Sequence, residues 1–193
     1  MQSTGWVDIS IRKEVYISPM SFIRLLCSLV LLGIAFSSTA QMAGASDSLR
    51  RQATRMESSF IGGDFVSYVH YFPPKLIEVK GGQDSVVKRL IESRKSVANM
   101  KYDSVGFDTL SAFVNDSGLL QATLAEHTSV TIGHNRVVFK TTLICLSPDN
   151  GAHWTFVEPG DEGGIYQLRV WVPEISAKLT IPPQTPPQIF PKQ

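Results

Sequence analysis

The sequence predicts an α+β fold in which helices come first and an antiparallel sheet follows. Before residue 98 the apolar side chains recur at intervals of three and four residues, which is the period of a helix. From Tyr102 onward the period changes to alternation, and turn-forming sequences arrive at short intervals. Helices and hairpins separated in this way along a chain are typical of α+β proteins.

Two helices are expected at the start of this region. The first covers residues 46–60, where the apolar positions advance in steps of four, three and four, and it ends at the glycine pair 62–63. Asp64 is expected to cap the second helix, because its carboxylate can accept hydrogen bonds from the free backbone amides of the first turn. Pro73, followed by a second proline, ends that helix.

A short strand and a third helix are expected next. Residues 75–80, KLIEVK, are too few for a helix of ordinary length and predict a strand. Gly81-Gly82 breaks the strand, and Asp84 is expected to cap the third helix. The inner side of that helix is predicted to carry Val87, Leu90, Ile91, Arg94 and Ala98.

The remainder of the chain predicts an antiparallel meander. Five extended runs are separated by turn sequences such as NDSG and PDNG, and they cover residues 102–114, 119–132, 136–147, 153–158 and 165–172. Residues 182–193 are rich in proline, which has no backbone N–H to donate, so this segment is predicted to be an extended tail.

The N-terminus has the features of a secretory signal peptide over residues 1–40. Residues 25–36, LLCSLVLLGIAF, carry no charge, follow Arg24 and precede the small residues Ser38 and Ala40. This run falls short of the ~20 apolar residues that span a bilayer, so no stable membrane anchor is expected after cleavage. Residues 1–19 are either an extended leader or the result of a start misassigned upstream of Met20. The expected location is periplasmic or extracellular.

Composition narrows the classes of partner. Of the 193 residues 43% are hydrophobic and 18% are charged, as in a globular protein. Loss of residues 1–40 removes three of 18 basic and two of 17 acidic side chains, which leaves 15 of each. This balance, without a basic cluster, predicts no nucleic-acid partner. The four histidines lack the close spacing of a metal site, and neither a metal nor another cofactor is expected. Cys145 is expected to be a buried thiol.

Residues 60–94, FIGGDFVSYVHYFPPKLIEVKGGQDSVVKRLIESR, resemble the NTF2-like superfamily, which includes SnoaL-like cyclases, ketosteroid isomerase and scytalone dehydratase. The shared pattern is a small-residue break and an Asp before the second helix, a proline at its end, a short strand, and Gly-Gly before the third helix. The resemblance implies a cone, from residue 46 to 181, in which three N-terminal helices pack on a curved antiparallel sheet. It also implies a pocket inside the cone and, as in many such folds, a homodimer through the sheet.

Glu126 is the first candidate for chemistry. It interrupts the otherwise largely apolar even-numbered face of the run 119–132. A carboxylate in that position is partly removed from water, which raises its pKa and suits a general acid or base. The alternatives are pairing with an arginine or rotation outward through a bulge. The opposite face is expected to be solvated, because its side chains are polar: Gln121, Thr123, His127, Ser129 and Thr131.

The resemblance also implies catalytic roles for particular residue types, and this chain contains residues of those types. Ketosteroid isomerase uses an Asp base with Tyr and carboxylic-acid donors, and scytalone dehydratase and SnoaL-like enzymes use His with Asp. Asp108 and His70 are therefore candidates, although no motif assigns them, and a capping or packing role is the alternative for His70. The predicted pocket residues are Tyr68, Tyr102, Leu124, Trp154 and Phe156.

The sequence is compatible with two functions. The first is an exported, non-catalytic module that binds a small apolar ligand or a partner. The second is a cofactor-free isomerase, dehydratase or cyclase with a pocket carboxylate as general base. An enzyme needs a carboxylate and a proton donor that converge in one cavity, whereas a binding module needs only an apolar pocket.

Overall fold

The computed structural model describes residues 42–97, 99–160 and 163–191. This part of the chain contains five α-helices and a six-stranded antiparallel sheet, so the α+β class is confirmed. The expectations for the signal peptide and for Ala98 lie outside the described residues. The helices are α1 (42–62), α2 (Phe65–Val69), α3 (Pro74–Val79), α4 (Gln83–Ser96) and α5 (Ile165–Trp171).

The sheet is built around two long strands. Its members are β1 (Met100–Leu110), β2 (Val114–Asp116), β3 (Leu119–Ile132), β4 (Asn135–Ser147), β5 (Thr155–Val157) and β6 (Gln188–Pro191). The order is β1-β3-β4-β5, with β2 also paired to β3 and β6 also paired to β4. The predicted bounds of β3 are confirmed, and those of β4 differ by one residue.

Helix α1 packs on one face of this sheet. The inward positions of α1 meet the even-numbered side chains of β3, and this core cluster consists of Ala45, Leu49, Ala53, Met56, Ala122, Leu124, Leu143, Cys145, Trp154 and Phe156. The four-three-four spacing in the sequence therefore identified the buried face correctly. Burial of these groups is the main favourable term for this layer.

A second layer covers part of the opposite face. Helix α5 and the chain that follows it contribute Leu168, Val172, Ile175 and Leu179, which pack against Ile144 and Leu146 of β4. The side chain of Gln121 joins this layer to β3: its Nε2 donates to the Glu174 carbonyl at 2.8 Å, and its Oε1 accepts from the Ser176 amide at 2.9 Å. The prediction of a solvated face is therefore wrong for Gln121, Thr123 and Ser129, which are 0%, 6% and 2% exposed. The face that a sheet-mediated dimer would use is partly occupied.

Two predicted strands are helices. Residues 75–79 fall in α3, because Pro74 occupies the first helical position, where its missing N–H costs nothing, and Leu76 reaches the core. Residues 165–171 fall in α5, which follows Gly164 at φ 92° and directs Leu168 into the second layer. In both segments the packing of an apolar residue against the rest of the protein outweighs the local preference. The count of three helices is accordingly wrong.

Two smaller expectations also need correction. Asp64 caps α2 as predicted, since its Oδ1 accepts from the Ser67 amide at 3.1 Å. Asp84 lies inside the first turn of α4, and the capping position is Gly82. The tail is extended, but β6 within it also pairs with β4, because Gln188, Ile189 and Phe190 retain the backbone donors that proline lacks.

Candidate functional site

A cavity of about 710 Å³ lies on the α1 side of the sheet. Helices α1, α2 and α4 and strands β1, β3, β4 and β5 contribute to its wall. The apolar part of the wall includes Met56, Phe60, Phe72, Val130, Leu143 and Phe156. This volume is within the range of small-molecule sites, roughly 300–1,000 Å³.

Glu126 lies in the wall of this cavity and is 8% exposed. Thr128 donates a hydrogen bond from its Oγ1 to the Glu126 Oε1 at 3.0 Å. Thr141 stands directly opposite Glu126 on β4, so the two side chains project from the same face of the sheet. The Thr141 Oγ1 is buried and has no hydrogen-bond partner within the described residues.

Glu57 of α1 lies in the same wall and is also 8% exposed. Burial raises the pKa of Glu57, and the negative charges of Glu126 and Glu158 raise it further, to about 8. At neutral pH Glu57 therefore holds a proton beside a second buried carboxyl group.

Glu57 was not among the candidates from sequence, although a signal for it is present. It stands four residues after Ala53 and three before Phe60, and both of those positions were assigned to the inward face of α1. A glutamate at that spacing is directed toward the core, where an acidic side chain requires a partner or a proton. Glu57 thus interrupts the apolar face of a helix in the same way that Glu126 interrupts the apolar face of a strand.

Aromatic rings form one side of the cavity. The ring of Phe60 contacts Tyr68 at a centroid distance of 5.0 Å and Tyr102 at 5.2 Å. The guanidinium of Arg94 lies 4.3 Å from the Tyr102 ring centroid and 5.5 Å from that of Phe60. This cluster therefore already holds one cation by the attraction between positive charge and aromatic faces.

Charged groups with greater exposure also reach the wall. Glu158 and Lys80 are half-buried, whereas Arg89 is exposed. Arg89 donates from Nη2 to the Lys80 carbonyl at 2.7 Å, and the Lys80 ammonium lies 5.6 Å from the Trp171 ring centroid. The cations are thus more exposed to solvent than Glu57 and Glu126, which are the more deeply buried charged groups of the wall.

The five predicted pocket residues divide into two groups. Tyr68, Tyr102 and Phe156 line the cavity. Leu124 and Trp154 are buried in the core cluster against α1, at 0% and 2% exposure, and they are absent from the cavity wall. The difference arises because α1 covers that end of the sheet directly.

Asp108 and Glu126 do not converge. The Asp108 Oδ2 lies 3.4 Å from the His127 Nδ1, and His127 adjoins Glu126 on β3. Since successive residues of a strand point to opposite faces, Asp108 and His127 lie on the side away from the cavity. The imidazole covers Gly106, its cross-strand partner, and a methyl group at Gly106 would overlap that ring.

His70 is also separate from the cavity. It is exposed at the C-terminal cap of α2, and its Nε2 lies 3.3 Å from the Gln83 Nε2. The structure therefore places one of the three predicted catalytic residues, Glu126, in the cavity. Glu57 takes the position beside it that the sequence prediction gave to Asp108 and His70.

Cys145 is 0% exposed, and burial together with the charge of Glu126 raises the pKa of its thiol well above the usual range. A thiol in this state is a poor nucleophile. Within the described residues, no group of three or more His, Cys, Asp or Glu side chains could hold a metal ion. The same part of the chain contains no helix that is both long and apolar enough to span a membrane.

Comparison with known proteins finds no match. Neither a family model nor a curated protein nor a solved structure matches this chain. The geometry of the cavity is therefore the basis for inference about function.

The cavity is suited to two kinds of chemistry. Its apolar and aromatic walls can enclose a small organic molecule, and its carboxyl pair can exchange hydrogen bonds or a proton with that molecule. Glu57 in its protonated form is a donor, and an ionised carboxylate at Glu126 would be an acceptor. A bound molecule would meet these groups largely shielded from water, where hydrogen bonds are stronger.

Proposed function

We propose that the protein is a non-catalytic module that binds a small, mainly apolar molecule in the cavity between α1, α2, α4 and the sheet. The observation that carries this proposal is the cavity of about 710 Å³, whose wall combines apolar and aromatic side chains with polar ones, including Glu57 and Glu126. Sites for small molecules combine these two features, since apolar contact supplies affinity and a few polar groups set orientation.

We further propose that the fold is an NTF2-like cone and that the protein is exported by the N-terminal signal peptide. The succession of helices before a long antiparallel sheet, with a cavity between the two, supports the cone. The additional layer formed by α5 and the following chain is an elaboration of that scheme. Export supports a role in capturing a molecule in the periplasm or outside the cell.

The test of ligand binding is a pair of tryptophan substitutions on α4. Both Ser93 and Ser96, one turn further, are exposed, but Ser93 lies in the cavity wall and Ser96 lies outside it. Calorimetry with octanol and decanol as apolar probes should detect binding to the unmodified protein and to Ser96→Trp. Ser93→Trp should weaken it by about tenfold or more, because the indole occupies part of the site. Absence of binding, or equal binding by both variants, would contradict the proposal.

A second candidate function is cofactor-free acid–base catalysis, and the proximity of Glu57 to Glu126 favours it. In an isomerisation, Glu126 as base would remove a proton from carbon next to a carbonyl, and Glu57 would donate a hydrogen bond to the oxygen that gains charge. Glu126 would then return the proton to another carbon. A β,γ-unsaturated ketone is a suitable probe, since its conversion to the conjugated ketone is visible by ultraviolet absorbance. Turnover that Glu126→Gln leaves unchanged would exclude this mechanism.

A further inference from the structure

The deepest charged groups of the cavity are acidic, and they point to the chemistry of the ligand. We propose that the cavity recognises amphipathic amines, with the ammonium group between Glu57 and Glu126 and the apolar part along the aromatic and aliphatic walls. This inference rests on the ligand-binding function proposed above and specifies the class of ligand.

The two carboxyl groups come from different elements and meet at one cavity. Glu57 comes from α1 and Glu126 from β3, and each is 92% buried, yet both reach the same cavity. Their proximity is unfavourable when both are ionised, because like charges repel strongly where water is excluded. A cation between them would replace repulsion with two attractive contacts.

An unsatisfied hydroxyl group also lies near the carboxyl pair. Thr128 donates to Glu126, and the Thr141 Oγ1, opposite Glu126 in the cavity wall, is buried and has no hydrogen-bond partner within the described residues. Buried polar groups normally have hydrogen-bond partners, and those without one in a cavity are satisfied by water or by a ligand. An ammonium group has up to three N–H donors, enough for both carboxyl groups.

The aromatic wall of the cavity also suits a cation. The rings of Phe60 and Tyr102 already attract the guanidinium of Arg94. Phe72 and Phe156 add further rings to the wall. Aromatic faces attract alkylammonium groups as well as their apolar substituents, so the same wall suits both parts of an amine.

The other charged or titratable groups at the wall do not reverse this preference. They are Tyr68 from α2, Lys80 after α3, Arg89 from α4, Tyr102 from β1 and Glu158 after β5, with Arg94 behind the aromatic rings. The Lys80 side chain lies over Trp171, and Arg89 is exposed. These two cations are therefore more exposed to solvent than the two carboxyl groups.

Amine binding should release a proton. Glu57 is protonated at pH 7 in the empty cavity, because its pKa is about 8. When an R–NH₃⁺ ion binds, the Glu57 proton passes to solvent and the resulting carboxylate pairs with the ammonium. Loss of this proton offsets part or all of the positive charge that the ligand brings into the cavity. Because binding releases a proton, the affinity for the amine should rise with pH between 6 and 8.

The test compares three probes with the same ten-carbon chain: decylamine, decanol and decanoate. Calorimetry at pH 7 should show decylamine binding about tenfold more tightly than decanol, with decanoate weakest. Repeating the titration in buffers with different ionisation enthalpies should show release of up to about one proton per bound amine. Decanol should release none.

Two variants make the assignment specific. Glu57→Gln should lower decylamine affinity by about tenfold, which is a larger loss than for decanol, and it should abolish proton release. Glu92→Gln removes the same charge from the exposed side of α4 and should change none of these quantities. If Glu57→Gln does not fold, the head-group comparison and the proton count on the unmodified protein decide the matter.

The outcomes separate the two proposals. If decanol binds as tightly as decylamine and Ser93→Trp weakens both, the cavity is a ligand site but the amine preference is wrong. If decylamine binds without proton release, and equally well to Glu57→Gln, the preference is also wrong. If none of the three probes binds, both proposals are contradicted.

Discussion

Glu57 of α1 and Glu126 of β3 lie in the wall of one cavity, and the negative charge of Glu126 contributes to raising the pKa of Glu57 to about 8. Neither element alone creates this relationship. It arises because α1 packs along the even-numbered face of β3, which brings together an acidic interruption from each. The carboxyl group of Glu57 should therefore lose its proton near physiological pH. Several measurable properties depend on this titration.

The free energy of unfolding should depend on pH through Glu57. In the unfolded chain this carboxyl group loses its proton near pH 4.5, whereas in the folded protein it keeps the proton until about pH 8. The folded state therefore binds more protons between these values, and stability should fall as pH rises from 4.5 to 8. Glu57→Gln, which is always neutral, should raise the free energy of unfolding at pH 8 by about 1–3 kcal/mol and change little at pH 4.

Urea denaturation at several pH values measures this effect. Glu92→Gln, on the exposed side of α4, is the matched control and should keep the pH dependence of the unmodified protein. If the free energy of unfolding changes with pH equally in Glu57→Gln and in the control, the prediction is wrong, because Glu57 then contributes nothing to the pH dependence.

Asp108 and Glu126 should differ in their effect on the cavity. Asp108→Asn removes a charge near His127, on the face of the sheet away from the cavity, so ligand affinity should change by less than about twofold. Glu126→Gln removes a charge inside the cavity, and decylamine affinity should fall by about tenfold. Calorimetry on both variants makes the comparison, with circular dichroism as the check of folding. A larger effect of Asp108→Asn than of Glu126→Gln would mean that the ligand binds on the opposite face of the sheet.

Gln121 should be important for stability rather than binding. Its amide joins β3 to the backbone of residues 174 and 176 through two hydrogen bonds. Methionine has a similar length but cannot replace either bond, so Gln121→Met should cost about 2–4 kcal/mol. The free energy of unfolding in urea measures the loss. Gln167→Met, at an exposed position of α5, is the control and should be nearly neutral.

Strand β6 should protect the edge of β4. Deletion of residues 188–193 removes the pairing with Asn135–Val138 and leaves a row of backbone donors and acceptors open. We expect the melting temperature to fall by roughly 3–8 °C and the tendency to self-associate to increase. Differential scanning calorimetry and size-exclusion chromatography report these changes. Deletion of residues 192–193 alone, which leaves β6 in place, is the control.

Much of this architecture is predictable from the sequence, and the failures have a common cause. The inward face of α1, the cap at Asp64 and the full length of β3 follow from periodic patterns over many residues. The two segments assigned to the wrong element, α3 and α5, have only six and seven residues. Over so short a stretch an apolar run fits either period, and contacts distant in sequence decide.

The site was predictable in part for a related reason. Glu126 is visible as one acidic residue on an apolar strand face, and it does line the cavity. The sequence cannot show which other elements face it, so Asp108 and His70 were chosen by residue type. Glu57 would have been found by applying to α1 the criterion that identified Glu126.

Gly106 and His127 have a consequence for how this protein can vary. A side chain at position 106 and an imidazole at position 127 compete for the same volume above the sheet. In a library randomised at both positions and selected for folding, histidine at 127 should be recovered almost entirely with glycine at 106. Larger residues at 106 should be recovered with small ones at 127, so neither position evolves independently.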